Sequence, residues 1–283
     1  MLYTMDKKSK YNYQVTSSNQ IYLNSTNADI HLNNTYKSNC VFFFPNTLLI
    51  QDNTVSRHVS VVNAQIPASM YQINYSNCNI TVNSTNYTLP LGNYTVYTFM
   101  SEMTALLGSS WTLNFNSLNN TLTFNNTSSF TISDTTNSVF PVIGLISGTV
   151  YTSSANALTC PYSVNFAGLN RVNIRTTSFY LKTVSMDSTN ESRILATIPL
   201  NTPQNGIAFY ENKNDYKTPF SNVEISSVAI EITDDAGNYI NFNNIDWSIT
   251  LQIDIVNEVV QTYDDLYDIY NKENNLLSSH SVL

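Results

Sequence analysis

The histidines and cysteines are the side chains best suited to nucleophilic or metal chemistry, and their spacing favours neither. They are His31, His58, His280, Cys40, Cys78 and Cys160. No histidine has a partner at the spacing of a zinc site such as H-x-x-x-H or H-E-x-x-H. The cysteines include no C-x-x-C pair, so they predict neither a metal knuckle nor a disulfide framework, and a reducing compartment is the simpler assumption. A Cys-His nucleophile pair is disfavoured for the same reason.

The carboxylates form two sequence clusters, which are Asp234-Asp235 and Asp264-Asp265-Asp268. Adjacent acids in a turn are usually turn formers, because the paired acids of a glycosidase come from different strands. A calcium site at Asp234, Asp235 and Asn238 is the alternative, although the spacing of an EF-hand loop is missing. Glycine-rich phosphate loops and G-x-S-x-G are also absent from the sequence. We therefore predict no catalytic residue, no metal and no cofactor, and a protein that is not an enzyme.

Arg171 and Arg175 lie four residues apart, so they share one face of a strand. Two interpretations remain open for them, an ion pair across an interface and a solvated strand face. The candidate partners for the ion pair are Glu191, Glu211 and Glu224.

The composition limits the partners of this chain. Charged residues make up 11% of the sequence, against roughly 25% in an average protein, so uncharged Asn, Ser and Thr must cover the surface. Such a surface suits packing against copies of itself, or else it reflects AT-rich codons. The net charge of −8 excludes a nucleic-acid-binding main body. Lys7, Lys8 and Lys10 form a small basic region, which either faces a packaged genome or belongs to a polar tail.

Targeting signals are missing. The N-terminus has no apolar core of a signal peptide, and no run of about 18 apolar residues predicts a membrane span, so synthesis in the cytosol is expected. N-x-S/T matches are frequent, but in a chain so rich in these residues we interpret them as chance. They begin at Asn24, Asn33, Asn74, Asn79, Asn83, Asn86, Asn93, Asn119, Asn125, Asn126 and Asn190.

The elements that would position these residues are mainly β-strands. Apolar and polar residues alternate in the runs 194–200, 223–232 and 247–255, which is the period of half-buried strands. The second run needs a one-residue slip between Ser226 and Ser227, as a bulge produces. Gly237 is available for the positive φ of a tight turn between the last two runs. One internal helix is predicted after Thr95, which can cap its start, and Gly108 would end it.

These patterns predict four regions: an N-terminal arm at 1–39, a jelly-roll domain at 40–75 and 163–256, an inserted α+β domain at 76–162, and a C-terminal amphipathic helix and tail at 257–283. The predicted fold class is all-β, a single jelly roll (an antiparallel β-sandwich) that carries a small α+β insertion. Whether the C-terminal helix packs on its own body or docks on a neighbouring subunit stays open.

Several segments resemble penton-type minor capsid proteins of virophages and related double-stranded DNA viruses. The segments are ILATIP, SSVAIEITDDAGN and NNIDWSITLQI, the strand and Ile-Pro-x-x-x-Tyr-x-Ile corner in VSVVNAQIPASMYQINYS, and a Gly144-Leu145 corner in the insertion. The resemblance covers about two thirds of the chain. It implies a homopentamer at the fivefold vertices of an icosahedral virion, made in the host cytoplasm, with the inserted domain projecting outward. The implied partners are a double jelly-roll major capsid protein, other minor capsid proteins and a host-cell surface.

Two other functions stay open beside a capsid role. Jelly rolls also serve as lectins, and the 19 tyrosines could stack on sugars, so a carbohydrate-binding or host-attachment module is the first alternative. The second is a hydrolase on a β scaffold, which the lack of a catalytic constellation disfavours.

Overall fold

The computed structural model describes residues 10–32, 36–49, 54–181 and 193–261. Its elements are mostly antiparallel strands, with few helices. The strands before the predicted insertion are β1 (Lys10–Asn24), β2 (Ile30–His31), β3 (Asn39–Leu49) and β4 (Thr54–Pro67). The middle of the chain contains β5 (Asn79–Val82), β6 (Thr85–Thr88), α1 (Val96–Leu107), β7 (Trp111–Asn116), β8 (Thr121–Asn126), β9 (Thr131–Ser133), α2 (Phe140–Ile143), β10 (Val150–Thr152) and β11 (Ala157–Thr159). The last strands are β12 (Arg171–Thr176), β13 (Ile194–Pro199), β14 (Ile207–Glu211), β15 (Thr218–Pro219), β16 (Glu224–Thr233) and β17 (Ser248–Gln261).

The chain forms two compact units. Unit 1 comprises the residues up to Ala68 and from Arg171 onward, and unit 2 comprises Ser69–Asn170. The sequence prediction placed the inserted domain at 76–162, inside unit 2.

Unit 1 contains two five-stranded sheets. Sheet A has the order β1-β17-β4-β14, and β15 pairs with β4 on the same sheet. Sheet B has the order β13-β12-β16-β3-β2. The strand pairs of both sheets are antiparallel. This arrangement is jelly-roll-like, and the all-β class predicted from the alternating runs is confirmed.

The alternation of side chains explains which faces are buried. On β17, Ile249, Leu251 and Ile253 are buried, as the period of two predicts. Trp247, just before this strand, contacts Phe42 of β3 edge-on, with 6.2 Å between the ring centroids. Apolar residues of sheet A and sheet B therefore meet in one core.

The predicted turn of unit 1 is confirmed, and so is the position of an irregularity in β16. Ile225 pairs with Leu48 and Ser227 with Phe43, so the register shifts where the sequence indicated a one-residue slip, but the extra residues lie on β3. The turn between β16 and β17 places Gly237 at φ +85°, a conformation that glycine adopts without steric cost. Asp234 accepts a hydrogen bond from the backbone N–H of Asn238 at 2.8 Å, which closes this turn.

Unit 2 has a core of its own. Its strands form two small sheets, with the orders β10-β9-β5-β6 and β11-β8-β7. Phe99 of α1 and Phe124 of β8 are fully buried in one apolar cluster together with Phe140 of α2. The predicted helix is confirmed over Val96–Leu107, and its Thr95 cap accepts a hydrogen bond from the Thr98 N–H at 3.2 Å.

The structure differs from the sequence prediction at both ends of the chain. The predicted arm at 1–39 contains β1, which runs along β17 from Lys10↔Gln261 to Asn24↔Ser248. No strand was predicted there because the segment is largely polar, and an edge strand can form with only a few buried side chains. The predicted C-terminal helix at 257–283 is wrong for residues 257–261, which continue β17. The rest of that prediction, including Asp264, Asp265 and Asp268, lies outside the described residues.

Smaller differences occur inside the chain. Leu181 lies outside the named strands and makes an isolated bridge with Phe220. The short elements α2, β10 and β11 were not predicted, because three or four residues are too few to display a period.

Candidate functional site

The structure brings His31 and Cys40 together, although they are nine residues apart. They lie opposite each other in the β2–β3 pair, and the Cys40 Sγ is 3.4 Å from the His31 Nδ1. The thiol also donates a hydrogen bond to the Lys37 carbonyl oxygen at 3.3 Å. The sequence prediction that the histidines and cysteines are scattered is therefore wrong for this pair, because strand pairing rather than spacing makes the contact.

The environment of Cys40 does not suit a nucleophile. The side chain is 0% exposed, and burial raises the pKa of the thiol to about 11 despite the opposing effect of Lys37. The thiolate is the reactive form of cysteine, so this residue is protonated and inert near pH 7. Cys78 and Cys160 are also buried, and burial raises the pKa of Cys160 to about 12. These features are those of structural cysteines.

The acidic turn is occupied by protein partners. Asp235 accepts hydrogen bonds from the Arg171 Nε at 2.9 Å and from the Asn173 Nδ2 at 3.1 Å. Asp234 accepts from the backbone and the side chain of Asn238 at 2.8 and 2.9 Å. These hydrogen bonds use the oxygens that a calcium ion would need. Across the described residues, no group of three His, Cys, Asp or Glu side chains is placed to hold a metal ion.

Arg171 pairs with Asp235 of its own unit, and of the predicted glutamates that the structure describes, Glu211 and Glu224, neither forms an ion pair with it. Hydrogen bonding from Arg171, and then from Asn173, lowers the pKa of Asp235. Glu191 lies outside the described residues. This ion pair therefore links β12 to the neighbouring turn, and the Arg171 side chain is engaged within unit 1.

A buried ion pair that the sequence did not indicate lies on sheet A. The Lys217 Nζ contacts the carboxylates of Asp254 and Asp215, each at 2.9 Å. The Asp254 side chain is 3% exposed and the Asp215 side chain is 73% exposed. Burial acts to raise the pKa of Asp254, but hydrogen bonds from Lys217, Ser18 and Gln252 outweigh it, so the pKa is lowered. Asp254 looked like an ordinary polar residue on the outer side of the last strand, and only the fold places Lys217 over it.

The two ends of sheet A differ from its middle. β1 and β14 are the first and last strands of its order. On these strands Tyr22 is 77% exposed, Phe209 is 72% exposed and Ile207 is 49% exposed. An exposed strand edge with large apolar side chains is a site where another chain can pair. These edges are the candidate interaction surface of unit 1.

A shallow cleft of about 710 Å³ lies beside β14. It is lined by Val62, Asn63, Pro199, Asn201, Phe209, Tyr210, Glu211 and Lys213. Burial raises the pKa of Tyr210. The lining contains neither histidine nor cysteine, and it offers no nucleophile–base pair.

The surface of unit 2 is almost free of charge. Glu102 and Asp134 are its charged residues, and it contains no lysine, arginine or histidine. Several of its tyrosines are largely exposed, among them Tyr75 and Tyr97 at 67% and Tyr162 at 59%. A surface of this kind has no electrostatic attraction for nucleic acid or anionic membranes. Within the described ranges, no helix is long and apolar enough to cross a membrane.

Comparison with known proteins gives a distant similarity to a solved structure. No family model matches the chain. No curated protein matches it either. Among solved structures, the chain is similar to the crystal structure of the SeMet-labeled mavirus penton protein, with a TM-score of 0.45 and 10% sequence identity, over 87% of this chain and 100% of that chain.

Proposed function

We propose that this chain is a structural subunit of an icosahedral viral capsid, a penton protein that forms homopentamers at the fivefold vertices. The observation that carries this proposal is the strand order of unit 1. If the eight longer pairing strands are numbered along the chain, sheet A has the order 1-8-3-6 and sheet B has the order 2-7-4-5. We interpret this order as that of a single jelly roll with two Greek keys, a fold of capsid and lectin domains. Unit 2 is inserted between the third and fourth of these strands.

The sequence resemblance supports the capsid role over other uses of the fold. The segments that resemble penton-type proteins include β13, β16 and β17, which all belong to the jelly roll. A subunit of a fivefold ring needs two different flanks that meet head to tail and close the ring. The two dissimilar edges of sheet A, β1 and β14, provide such flanks.

The role of unit 2 is part of the same proposal. Its core is separate from the jelly roll, so unit 2 can change its surface without disturbing the subunit contacts. We assign it an outward position on the virion and contact with the host-cell surface. The major capsid protein and other minor capsid proteins are the neighbours of the vertex, and the chain is made in the host cytoplasm. The role is not enzymatic.

Native mass spectrometry of the full chain over a range of concentrations tests the proposal. A species at five times 31.8 kDa is the expected result. The matching assembly test adds this chain to shells of a double jelly-roll capsid protein and locates it by electron microscopy. Shells that close with this chain absent from their fivefold vertices would overturn the vertex role.

A carbohydrate-binding module is the second candidate function. The exposed tyrosines of unit 2, such as Tyr97 beside Phe115 with 6.1 Å between ring centroids, favour it, because sugars stack on aromatic faces. A lectin needs no ring of five. A chain that stays monomeric and binds glycans on an array would therefore favour this function over the capsid role. Tyr97→Ala should then weaken binding, whereas Ser101→Ala, at an exposed position of the same helix, should not.

A further inference from the structure

The outer edge of β1 is long and, between Ser17 and Asn24, carries none of the usual protection against pairing. β1 has 15 residues, whereas a typical strand has about five or six. From Tyr11 to Asn24 the sequence contains no charged residue, proline or glycine. Natural edge strands are normally kept short or are blocked by lysine, proline or a covering segment. β1 has one bulge, between Val15 and Ser17. An edge like this is expected to be covered in the assembled protein.

The backbone groups on this edge point outward. The Ser25 N–H donates to the Trp247 carbonyl oxygen at 3.1 Å, and the register continues without a break to Asn24↔Ser248 and Tyr22↔Thr250. Because hydrogen-bonded residues alternate along an antiparallel pair, the N–H and C=O groups of Tyr22 and Gln20 face away from β17.

The opposite end of sheet A has the same property. The Asn212 N–H donates to the Val62 carbonyl, and the Gly206 carbonyl accepts from the Ala68 N–H, each at 2.9 Å. By the same alternation, the backbone groups of Ile207 and Phe209 face away from β4. In the part of the chain that the structure describes, no strand pairs with this edge of β14 or with the outer edge of β1.

The directions of the two edges are compatible with each other. β1 is antiparallel to β17, β17 to β4, and β4 to β14. The first and last of these four strands therefore run in opposite directions. If a second copy is placed beside the first by a rotation about an axis parallel to the strands, its β14 lies antiparallel to β1.

The side chains of the two edges are also compatible. Tyr22 stands in one row with Thr250, Asn63 and Glu211, and Phe209 stands in the neighbouring row with Ser248 and Asn24, so both aromatic rings are on the same face of sheet A. Exposed aromatic residues that meet across two strands stabilise the pair.

We propose that β1 of one copy pairs with β14 of a second copy of this chain, antiparallel and head to tail, so that sheet A continues from subunit to subunit. Tyr22 of one copy packs on the Phe209 and Ile207 side of the next. This inference rests on the proposed function, because it names the contact that joins the subunits of the ring. A head-to-tail contact uses both exposed edges, whereas a two-fold contact of β1 with β1 leaves Phe209 uncovered.

Two proline variants of the full chain test the contact by native mass spectrometry. Gln20→Pro and Phe209→Pro each remove an N–H that points outward, so the pairing within the subunit is retained. Each variant alone is expected to be monomeric. A mixture, with one variant labelled with ¹⁵N, is expected to give a one-to-one heterodimer and nothing larger, because one intact pair of edges remains. Gln20→Ala is the control, and it should assemble like the wild type. Tyr22→Lys keeps every backbone donor and should also weaken assembly. It therefore tests the contact if a proline variant fails to fold.

The possible outcomes separate this contact from the vertex role. A wild-type pentamer that both proline variants leave intact overturns the edge pairing and leaves the pentamer standing. If the Phe209→Pro variant forms dimers in the absence of the Gln20→Pro variant, the contact is a two-fold pairing of β1 with β1, which also overturns the proposal. A wild-type chain that stays monomeric at every concentration contradicts the pairing, while incorporation into shells decides the vertex role separately.

Discussion

Unit 1 and unit 2 are stabilised in different ways. All the ion pairs found among the described residues lie in unit 1, where Lys37 pairs with Asp246 at 2.8 Å and Lys217 with Asp254 at 2.9 Å. Unit 2 has no basic residue with which to form an ion pair. Its stability must come from its apolar core and from hydrogen bonds between neutral groups. Charge is therefore concentrated in unit 1, which we propose to contact other subunits, and is nearly absent from unit 2, which we propose to face the host.

The two tryptophans allow this difference to be measured, because each unit contains one. Trp111 packs on Phe130 in unit 2, with 4.5 Å between ring centroids, and Trp247 packs on Phe42 in unit 1. A Trp247→Phe background leaves Trp111 as the reporter of unit 2, and a Trp111→Phe background leaves Trp247 as the reporter of unit 1. Denaturant unfolding followed by fluorescence then gives a free energy for each unit.

The largest effect is expected from the core of unit 2. Phe99 is 0% exposed and contacts the rings of Phe166 and Tyr94, at centroid distances of 5.2 and 6.3 Å. Phe99→Ala should lower the free energy of unfolding reported by Trp111 by about 3–5 kcal/mol. Ser101→Ala, at an exposed position of the same helix, should change it by less than about 0.5 kcal/mol. An equal loss at Trp247 would mean that the two units unfold as one.

The buried ion pair of unit 1 should give the next largest effect. Asp254→Asn removes the buried partner of Lys217, whose side chain is 25% exposed. Breaking a fully buried pair costs about 3–5 kcal/mol, and the partial exposure of Lys217 reduces the expected loss to about 1–3 kcal/mol. The matched variant is Asp215→Asn, which removes the exposed partner and should cost less than about 1 kcal/mol. If both variants lower the free energy of unfolding reported by Trp247 by the same amount, the burial of Asp254 does not determine the strength of its ion pair.

Low pH should increase the difference in stability between the two units. The pKa of Asp246 is lowered, first by its hydrogen bond from Lys37, and the pKa of Asp254 is lowered as well. A carboxylate with a lowered folded pKa stabilises the protein above its unfolded value of about 3.9, and this stabilisation is lost as the pH falls through the folded pKa. In unit 2 the pKa of Asp134 is lowered by hydrogen bonds from Ser138, Gly148 and Thr135, which outweigh burial.

Unit 1 should therefore lose more stability than unit 2 between about pH 5 and pH 2, because it contains more carboxylates of this kind. The measurement is denaturant unfolding of the two single-tryptophan proteins at pH 7 and pH 3. The double variant Asp246→Asn, Asp254→Asn should flatten the response of unit 1. A steeper acid response at Trp111 than at Trp247 would reverse the comparison.

The sequence predicted local structure well, and it predicted poorly the contacts between residues on different strands. The irregularity near Ser226, the Gly237 turn and the Thr95 cap are confirmed because each depends on a few neighbouring residues. β1 was missed because its sequence from Tyr11 to Asn24 is largely polar and has no regular apolar period. The contacts of His31 with Cys40 and of Lys217 with Asp254 depend on which strands are neighbours. No spacing along the chain contains that information.

The candidate interaction surface was missed for the same reason. Packing against copies of itself was one of two interpretations of the low charge, but nothing in the sequence placed Tyr22 and Phe209 on one face of one sheet. The strand order of sheet A supplies this. With the order in hand, the absence of charge from Tyr11 to Asn24 becomes an argument about an edge, whereas in the sequence alone it suggested a polar arm.

The smallest effect is expected at the exposed ion pair of unit 1. The side chains of Arg171 and Asp235 are each 58% exposed, and ion pairs between exposed groups contribute little to stability. Arg171→Met should therefore hardly change the unfolding reported by Trp247, because Asn173 still donates to Asp235. Asp235→Ala should cost more, since it also removes an acceptor from Asn173, whose residue is buried. A large loss for Arg171→Met, and one that 1 M salt does not reduce, would show that Arg171 stabilises unit 1 through packing of its stem rather than through its charge.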